Sequence, residues 1–365
     1  MKERILIGIA FSVALRLISV LPVAQGLAQN TLTQTFQPDV QHFEHWLDSH
    51  GVERSVTVQD DPSVGGGRGL VASRRLEPGE VAVFVPVSAT LRLDGGLHDD
   101  NDNWAGVMAH NLLHHKEIGS RSPLYSCLEF GLPKEAPMTP CRWSSRDRMF
   151  LQNSTFAEEC IRNSFWRRQQ VALHDGSNYK AFMHMIDLVC SRTLRGRDGS
   201  RQMVPLIDMA NHAPTETGGG HFSVDEIGNV ALIVGSRGVE KGQPVTLDYG
   251  ARRVEDFLLH YGFVPHRCSS DSVLVKTTGS HGPMSLSWSD CEGYRGHRDA
   301  AVRELCLREL ESFPTTLLDD LSLENSNPEG RNAAFRSVLS YRISKKSLLS
   351  CLAGANGFGN SKVLS

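Results

Sequence analysis

The stretch Met203-Val204-Pro205-Leu206-Ile207-Asp208-Met209-Ala210-Asn211-His212-Ala213-Pro214 decides how the rest of the chain is read. An apolar run of strand type ends in Asp208, and Asn211-His212 follows before Pro214 closes the segment. Amide and imidazole side chains at the end of a buried run carry donors and acceptors that must be satisfied once water is excluded. Taken alone, the segment reads as a strand followed by a polar turn, with Asn211 tolerating left-handed backbone angles. What lies on either side favours a functional reading, in which those polar groups serve a ligand.

The chain has 365 residues, long enough for a full core and two domains. Its formal charge of −3 and apolar content of 40% fit a soluble globular protein. No basic excess argues for a nucleic-acid partner, and a monomer is expected. Lys2 and Arg4 precede an apolar run from Ile5 to Leu15, and small residues follow at Ala24, Gly26 and Ala28. This layout predicts a secretory signal peptide over residues 1–28, cleaved after Gly26 or Ala28. A lumenal or secreted protein is expected, or a plastid one if the host has a complex plastid; an organelle presequence is the alternative. Arg16 interrupts the apolar run, and since a span needs ~20 apolar residues, no stable membrane anchor is expected. The eight cysteines include no Cys-x-x-Cys pair, so no zinc site is expected, and most read as small buried hydrophobes.

Working outward, Phe36, Val40, Phe43 and Leu47 predict a helix over residues 36–50, ended by Gly51. The run Gly65-Gly66-Gly67-Arg68-Gly69 lacks the Lys-Ser/Thr of a phosphate loop; its glycines allow a close backbone approach or a tight turn. Strands are expected at Leu70–Ala72 and Glu80–Val87 around the turn at Pro78-Gly79. An amphipathic helix over residues 103–118 carries His110 and His114, which read as a polar face rather than a metal site. Residues 122–194 read as largely helical, with Trp143, Phe150, Phe165 and Trp166 as core aromatics, and the last helix delivers Arg192. Strands are expected at His221–Val224, Asn229–Ile233 and Val245–Leu247, the last running into Asp248-Tyr249-Gly250. A short helix, Glu255–His260, leads to Tyr261-Gly262-Phe263, and helices 299–313 and 332–352 end the chain.

Four separated pieces need one explanation: Gly66-Gly67-Arg68-Gly69, Arg192, Asp208 to His212, and Tyr249 to Phe263. Together and in this order they resemble the SET-domain protein methyltransferases, in the branch of the Rubisco large-subunit lysine methyltransferase and the actin-histidine methyltransferase. The resemblance covers roughly residues 36–352 and rests on order and spacing rather than on any single motif. It implies an α+β fold: a β-rich SET core over residues 36–283, with a helical insert at about 100–190. A short α-helical C-terminal domain, residues 284–365, would then dock the protein substrate, or merely cover the core.

The resemblance also implies S-adenosyl-L-methionine as cofactor and Tyr249 as the active-site tyrosine. It assigns Gly66, Gly67, Arg68, Arg192, Asp208, Asn211, His212, Tyr261 and Phe263 to the cofactor. Leu194 and Ile207 would line the acceptor channel with Tyr249. Their apolar walls suit the alkyl stem of a lysine better than an imidazole, so transfer to a protein lysine is expected. The alternatives are a protein-histidine methyltransferase and a SET-type binding module without catalysis. A hydrolase built on Asp208 and His212 lacks a Gly-x-Ser-x-Gly elbow. Two positions depart from the family pattern: Val254 stands where it has Asn, and Asp256 where it has Glu. The missing Asn removes a cap or local hydrogen bond.

Overall fold

The computed structural model describes residues 38–61, 67–93, 103–173, 178–196, 199–266, 268–277, 283–293, 300–326 and 333–354. The expected signal peptide and Gly66 lie outside them.

Helix α1 (Pro38–Ser49) turns Phe43, Trp46 and Leu47 inward, and the Trp46 indole donates to the Pro123 carbonyl at 2.6 Å. Short strands follow: β1 (Glu53–Arg54), β2 (Val56–Asp61), β3 (Gly67–Ala72), β4 (Val81–Val85) and β5 (Leu91–Arg92). The insert comprises α2 (Trp104–Ile118), a π-turn at Cys127–Gly131, α3 (Ser145–Met149), α4 (Ser154–Ala172) and α5 (Tyr179–Arg192). Asn153 and Asn178 cap α4 and α5, their side chains accepting from Phe156 N (2.9 Å) and Ala181 N (3.2 Å). After β6 (Thr193–Arg195) and β7 (Arg201–Met203) come β8 (His221–Val224), β9 (Val230–Ile233), β10 (Pro244–Val245) and α6 (Val254–Tyr261). The hairpin β11 (Ser272–Val275) and β12 (Met284–Ser287) precedes α7 (Trp288–Gly293), α8 (Ala300–Ser312), α9 (Leu317–Asn325) and α10 (Ala333–Ala353).

The strands form small antiparallel sheets, ordered β1-β4-β9-β8, β10-β3-β2 and β5-β7-β6. Val83 and Val85 of β4 meet Val230 and Leu232 of β9 in a core that also takes Leu70 and Ala72 of β3. Strand alternation sends these residues to one face. A second core joins Met108 and Leu112 of α2 to Phe182, Met185, Ile186 and Val189 of α5. Between α4 and α5, Arg167 pairs with Asp187, which Arg142 also reaches at 2.5 Å; Arg167 and Asp187 are buried.

Helix α10 is built into the same core as α6. Its Tyr341, Val338 and Ala334 share a core with Val254, Leu258 and Leu259 of α6. The Tyr341 hydroxyl donates to Glu255 at 3.2 Å, and Lys345 pairs with Glu255 (2.7 Å) and Asp271 (2.6 Å). Cys291 and Cys351 form a disulfide, Cα atoms 5.9 Å apart, tying α7 to the end of α10, while Cys127, Cys160 and Cys306 are buried thiols.

Three local expectations are corrected. The apolar run after Met203 is not extended: Leu206 sits at φ 72° and Ile207–Met209 form a 3₁₀ turn. Every apolar side chain there is buried, and a short run buried on all sides has no periodicity to distinguish strand from turn. Phe165 is 62% exposed because α4 buries the stripe Phe156, Cys160, Arg167 and Val171 instead. Phe150, at 38%, lies just beyond α3 and meets Phe335 edge-on rather than entering the core.

Candidate functional site

Three backbone segments are laced together around Leu247. It bridges His212 on one side and Gly220 on the other, both in parallel sense. Leu247 N donates to the Asn211 carbonyl at 2.9 Å, Ala213 N to the Leu247 carbonyl at 3.2 Å, and Asp248 N to the Gly220 carbonyl at 2.8 Å. A Cβ at Gly220 would run into the Ile233 carbonyl, so only glycine allows this approach. The lacing fixes Tyr249, two residues on, against Asn211-His212.

Beside it opens a cavity of about 470 Å³, whose walls include Arg192, Leu194, Ile207, Asp208, Tyr249 and Tyr261. Arg192, at the end of α5, donates through Nη1 to the Asp208 carbonyl (2.8 Å) and Oδ2 (3.1 Å). The Asp208 side chain is only 4% exposed, and its other oxygen, Oδ1, finds no donor among the described residues. Burial raises the Asp208 pKa, opposed by the neighbouring Arg192 and Arg68 guanidinium groups. Arg68 is anchored by the carbonyls of Phe130 (3.2 Å) and Gly131 (3.1 Å), and Gly67 before it is exposed.

The Tyr249 hydroxyl donates to the Ala210 carbonyl at 2.9 Å, and Tyr249 N donates to His212 Nδ1 at 3.3 Å. Nδ1 therefore accepts, which places the proton of the neutral ring on Nε2. The imidazole packs among Tyr249, Phe257 and Phe263, ring centroids 5.1, 4.7 and 6.2 Å away, and Tyr261 lies 4.9 Å from Tyr249. Burial lowers the His212 pKa and raises that of Tyr249, so at neutral pH both are uncharged.

Helix α6 positions the far wall. Arg253 stands at its N-cap, where the Asp256 carboxylate accepts from Arg253 N at 3.0 Å, and Asp271 accepts from Val254 N at 3.0 Å. These two aspartates do the work of the missing Asn, which leaves Val254 free to enter the core. Gly262, at φ 80°, ends the helix against the Met138 backbone and turns the chain from Tyr261 to Phe263.

The cavity also has walls that the sequence reading did not assign to it: Trp104, Arg201, Arg252, His260 and Trp166, which was expected in the core and is instead half-buried at the cavity. The Arg201 guanidinium lies 4.0 Å over the Trp104 ring, and Arg252 donates to the Tyr249 carbonyl at 3.1 Å. Burial, with Arg167 and Arg252 nearby, holds His260 down to about 4, so it is neutral at pH 7. The available signal was two tryptophans on half-polar faces of the insert helices.

The fold defined by this lacing and insert is that of a SET domain. A SET domain of LSMT bound to lysine and AdoHcy superposes with a TM-score of 0.64 at 16% identity, covering 88% of this chain and 91% of that one. Rubisco LSMT bound to AdoMet gives 0.62 at 18% identity, covering 87% and 91%. In sequence, Protein SET DOMAIN GROUP 40 of Arabidopsis thaliana is 23% identical over 281 residues, 64% of this chain and 57% of that protein. SET domain-containing protein 8 of Schizosaccharomyces pombe is 23% identical over 137 residues, 35% and 31% of the two chains. The match thus spans about half or less of those relatives. No family model matches the chain.

Proposed function

We propose that this chain is an S-adenosylmethionine-dependent methyltransferase acting on a protein lysine. The observation that carries the reading is a single cavity where the Tyr249 hydroxyl, the apolar walls Leu194 and Ile207, and the half-satisfied carboxylate of Asp208 converge. The solved SET domains of similar fold were captured with AdoMet or AdoHcy, and one of them with lysine.

The residues fit the cofactor in kind. The orphaned Asp208 Oδ1 and the π faces of Tyr249 and Tyr261 suit a cationic centre. Arg192, Asp208 and Tyr261 of the cavity wall would hold it, with Gly67, Arg68, Asn211, His212 and Phe263, which lie behind that wall, assigned by the resemblance alone. S-adenosylmethionine supplies a sulfonium-bound methyl, an electrophile for an amine. Catalysis by this chain is then alignment and electrostatics. Leu194 and Ile207 flank the alkyl stem, and the Tyr249 oxygen orients the acceptor Nζ. Because burial keeps Tyr249 protonated, it orients rather than removes a proton. The ammonium proton leaves Nζ for water through the cavity mouth, leaving the lone pair free to attack.

Calorimetric titration tests the cofactor assignment. Wild-type protein is expected to bind S-adenosylmethionine and its demethylated product at a single site each, in competition with one another; absence of binding by either would end the assignment.

We further propose entry into the secretory route through the segment preceding residue 29. The Cys291–Cys351 disulfide supports an oxidising compartment, as does the layout of residues 1–28.

A further inference from the structure

Lys345 of α10 is buried, and its ammonium reaches out of its own helix. Nζ donates to Asp271 Oδ1 at 2.6 Å and to the Ser272 carbonyl at 2.8 Å, and pairs with Glu255 of α6 at 2.7 Å. A buried ion pair adds little net stability over apolar packing, because desolvation offsets the attraction. What Lys345 is attached to is therefore more informative than the pair itself.

The attachments lead to the cavity. Asp271 Oδ1, the atom that Lys345 holds, also accepts from Val254 N, the first residue of α6, at 3.0 Å. Asp271 Oδ2 finds no donor among the described residues, so Lys345 supplies the counter-charge. On the same loop, Ser270 Oγ accepts from Arg252 N at 3.1 Å and donates to the Arg252 carbonyl at 2.8 Å, where Cys268 Sγ also donates at 3.1 Å. Arg252 lines the cavity, and its Nε donates to the Tyr249 carbonyl at 3.1 Å. Gly250, at φ 88°, breaks the regular backbone between Tyr249 and α6, so these contacts from residues 268–271 set where that segment lies. Glu255 is fixed from its other side: it accepts from the Tyr341 hydroxyl at 3.2 Å, and that hydroxyl accepts from Asn153 Nδ2 at 3.0 Å.

We propose that Lys345 is a positioning residue for methyl transfer, holding the Tyr249–Arg252 wall of the cavity through Asp271 and its loop. The inference rests on the methyltransferase reading above for its effect on rate. Without the ammonium the loop loses its anchor in α10, Arg252 and Tyr249 shift together, and the acceptor nitrogen is no longer aligned; small displacements of that kind are costly to rate.

The test compares Lys345→Met with Lys346→Met, the next residue of α10, whose Nζ pairs with Asp320 of α9 instead. Each variant removes one partner of a buried pair, so both should lower the thermal midpoint. Hydrogen exchange read by mass spectrometry on the full chain, without ligand, separates them. The peptide covering residues 249–254 should exchange about tenfold faster in Lys345→Met and stay within about twofold of wild type in Lys346→Met. With proteins from the native source as acceptor, the maximal rate of labelled methyl transfer should fall about tenfold in Lys345→Met, with the KM for S-adenosylmethionine within a few-fold, and hold in Lys346→Met. Ser270→Ala, at an exposed position, cuts the loop from Arg252 directly and should lower the rate several-fold; it decides the question if Lys345→Met does not fold. Unchanged exchange at 249–254 in Lys345→Met, the same change in both lysine variants, or a Ser270→Ala rate equal to wild type would overturn the proposal. Faster exchange in Lys345→Met alongside no transfer by the wild-type protein would sink the methyltransferase reading instead, and leave the hold of Lys345 on the wall standing.

Discussion

Replacing Tyr249 by phenylalanine is expected to lower turnover by about 10²–10³, the usual cost of losing one preorganised polar group at a reacting centre. The substitution deletes one oxygen and opens no cavity. Its structural cost is a single hydrogen bond, the 2.9 Å contact to the Ala210 carbonyl, worth about 1 kcal/mol. The ring contacts with His212 and Tyr261 survive in phenylalanine, so cofactor affinity should stay within a few-fold. Turnover and thermal midpoint should be measured on one preparation. A destabilised but fully active variant would remove Tyr249 from the mechanism and make it a strand-end core residue.

The second large effect lies away from the cavity. Asp320 is fully buried and faces Arg342 and Lys346 of α10, both buried, with Lys346 Nζ at 2.7 Å and Thr315 Oγ1 at 2.9 Å. Asp320→Ala leaves two buried cations without their counter-charge, and breaking such a pair from one side typically costs about 3–5 kcal/mol. Burial already lowers the Lys346 pKa, with Asp320 pulling against it, so the variant should shed charge at Lys346 rather than keep it. The adjacent Asp319 is the control. It is exposed and completes the capping box of α9, accepting from Thr316 N at 2.8 Å, so Asp319→Ala should cost far less than Asp320→Ala. Urea unfolding of both variants checks this; equal losses would show that the buried triad adds nothing to stability.

The elements with long, regular patterns were readable from the sequence. The helix expected over 103–118 is found at Trp104–Ile118, and the one leading to Arg192 at Tyr179–Arg192, because several turns of apolar spacing define a buried face. Strands β8 and β9 likewise lie within a residue of their expected limits. What escaped were features set by distant partners. The turn at Leu206 is imposed by burial on every side, and β6 and β7, three residues each, are too short to carry a period. The Asp320 triad depends on charges separated by more than twenty residues.

The cavity divides the same way. Arg192, Asp208, Tyr249 and Tyr261 were found because order and spacing around Asn211-His212 resemble a known pattern, and they line one space. Leu194 and Ile207, placed by the same resemblance, are on its wall as well. Trp104, Trp166 and Arg201 belong to segments without a motif, and only folding the insert back onto β7 brings them to the same place. The residues carried by the resemblance were thus legible as a local pattern. The tryptophan and Arg201 walls arise from tertiary contact.

The most direct measurement is transfer of an isotope-labelled methyl group from S-adenosylmethionine to proteins extracted from the native source, with the modified residue mapped by mass spectrometry. Label on lysine Nζ is expected with the wild-type chain, strongly reduced with Tyr249→Phe. Label on histidine, or no transfer by wild-type protein that binds the cofactor, would contradict the assignment of a protein-lysine methyltransferase.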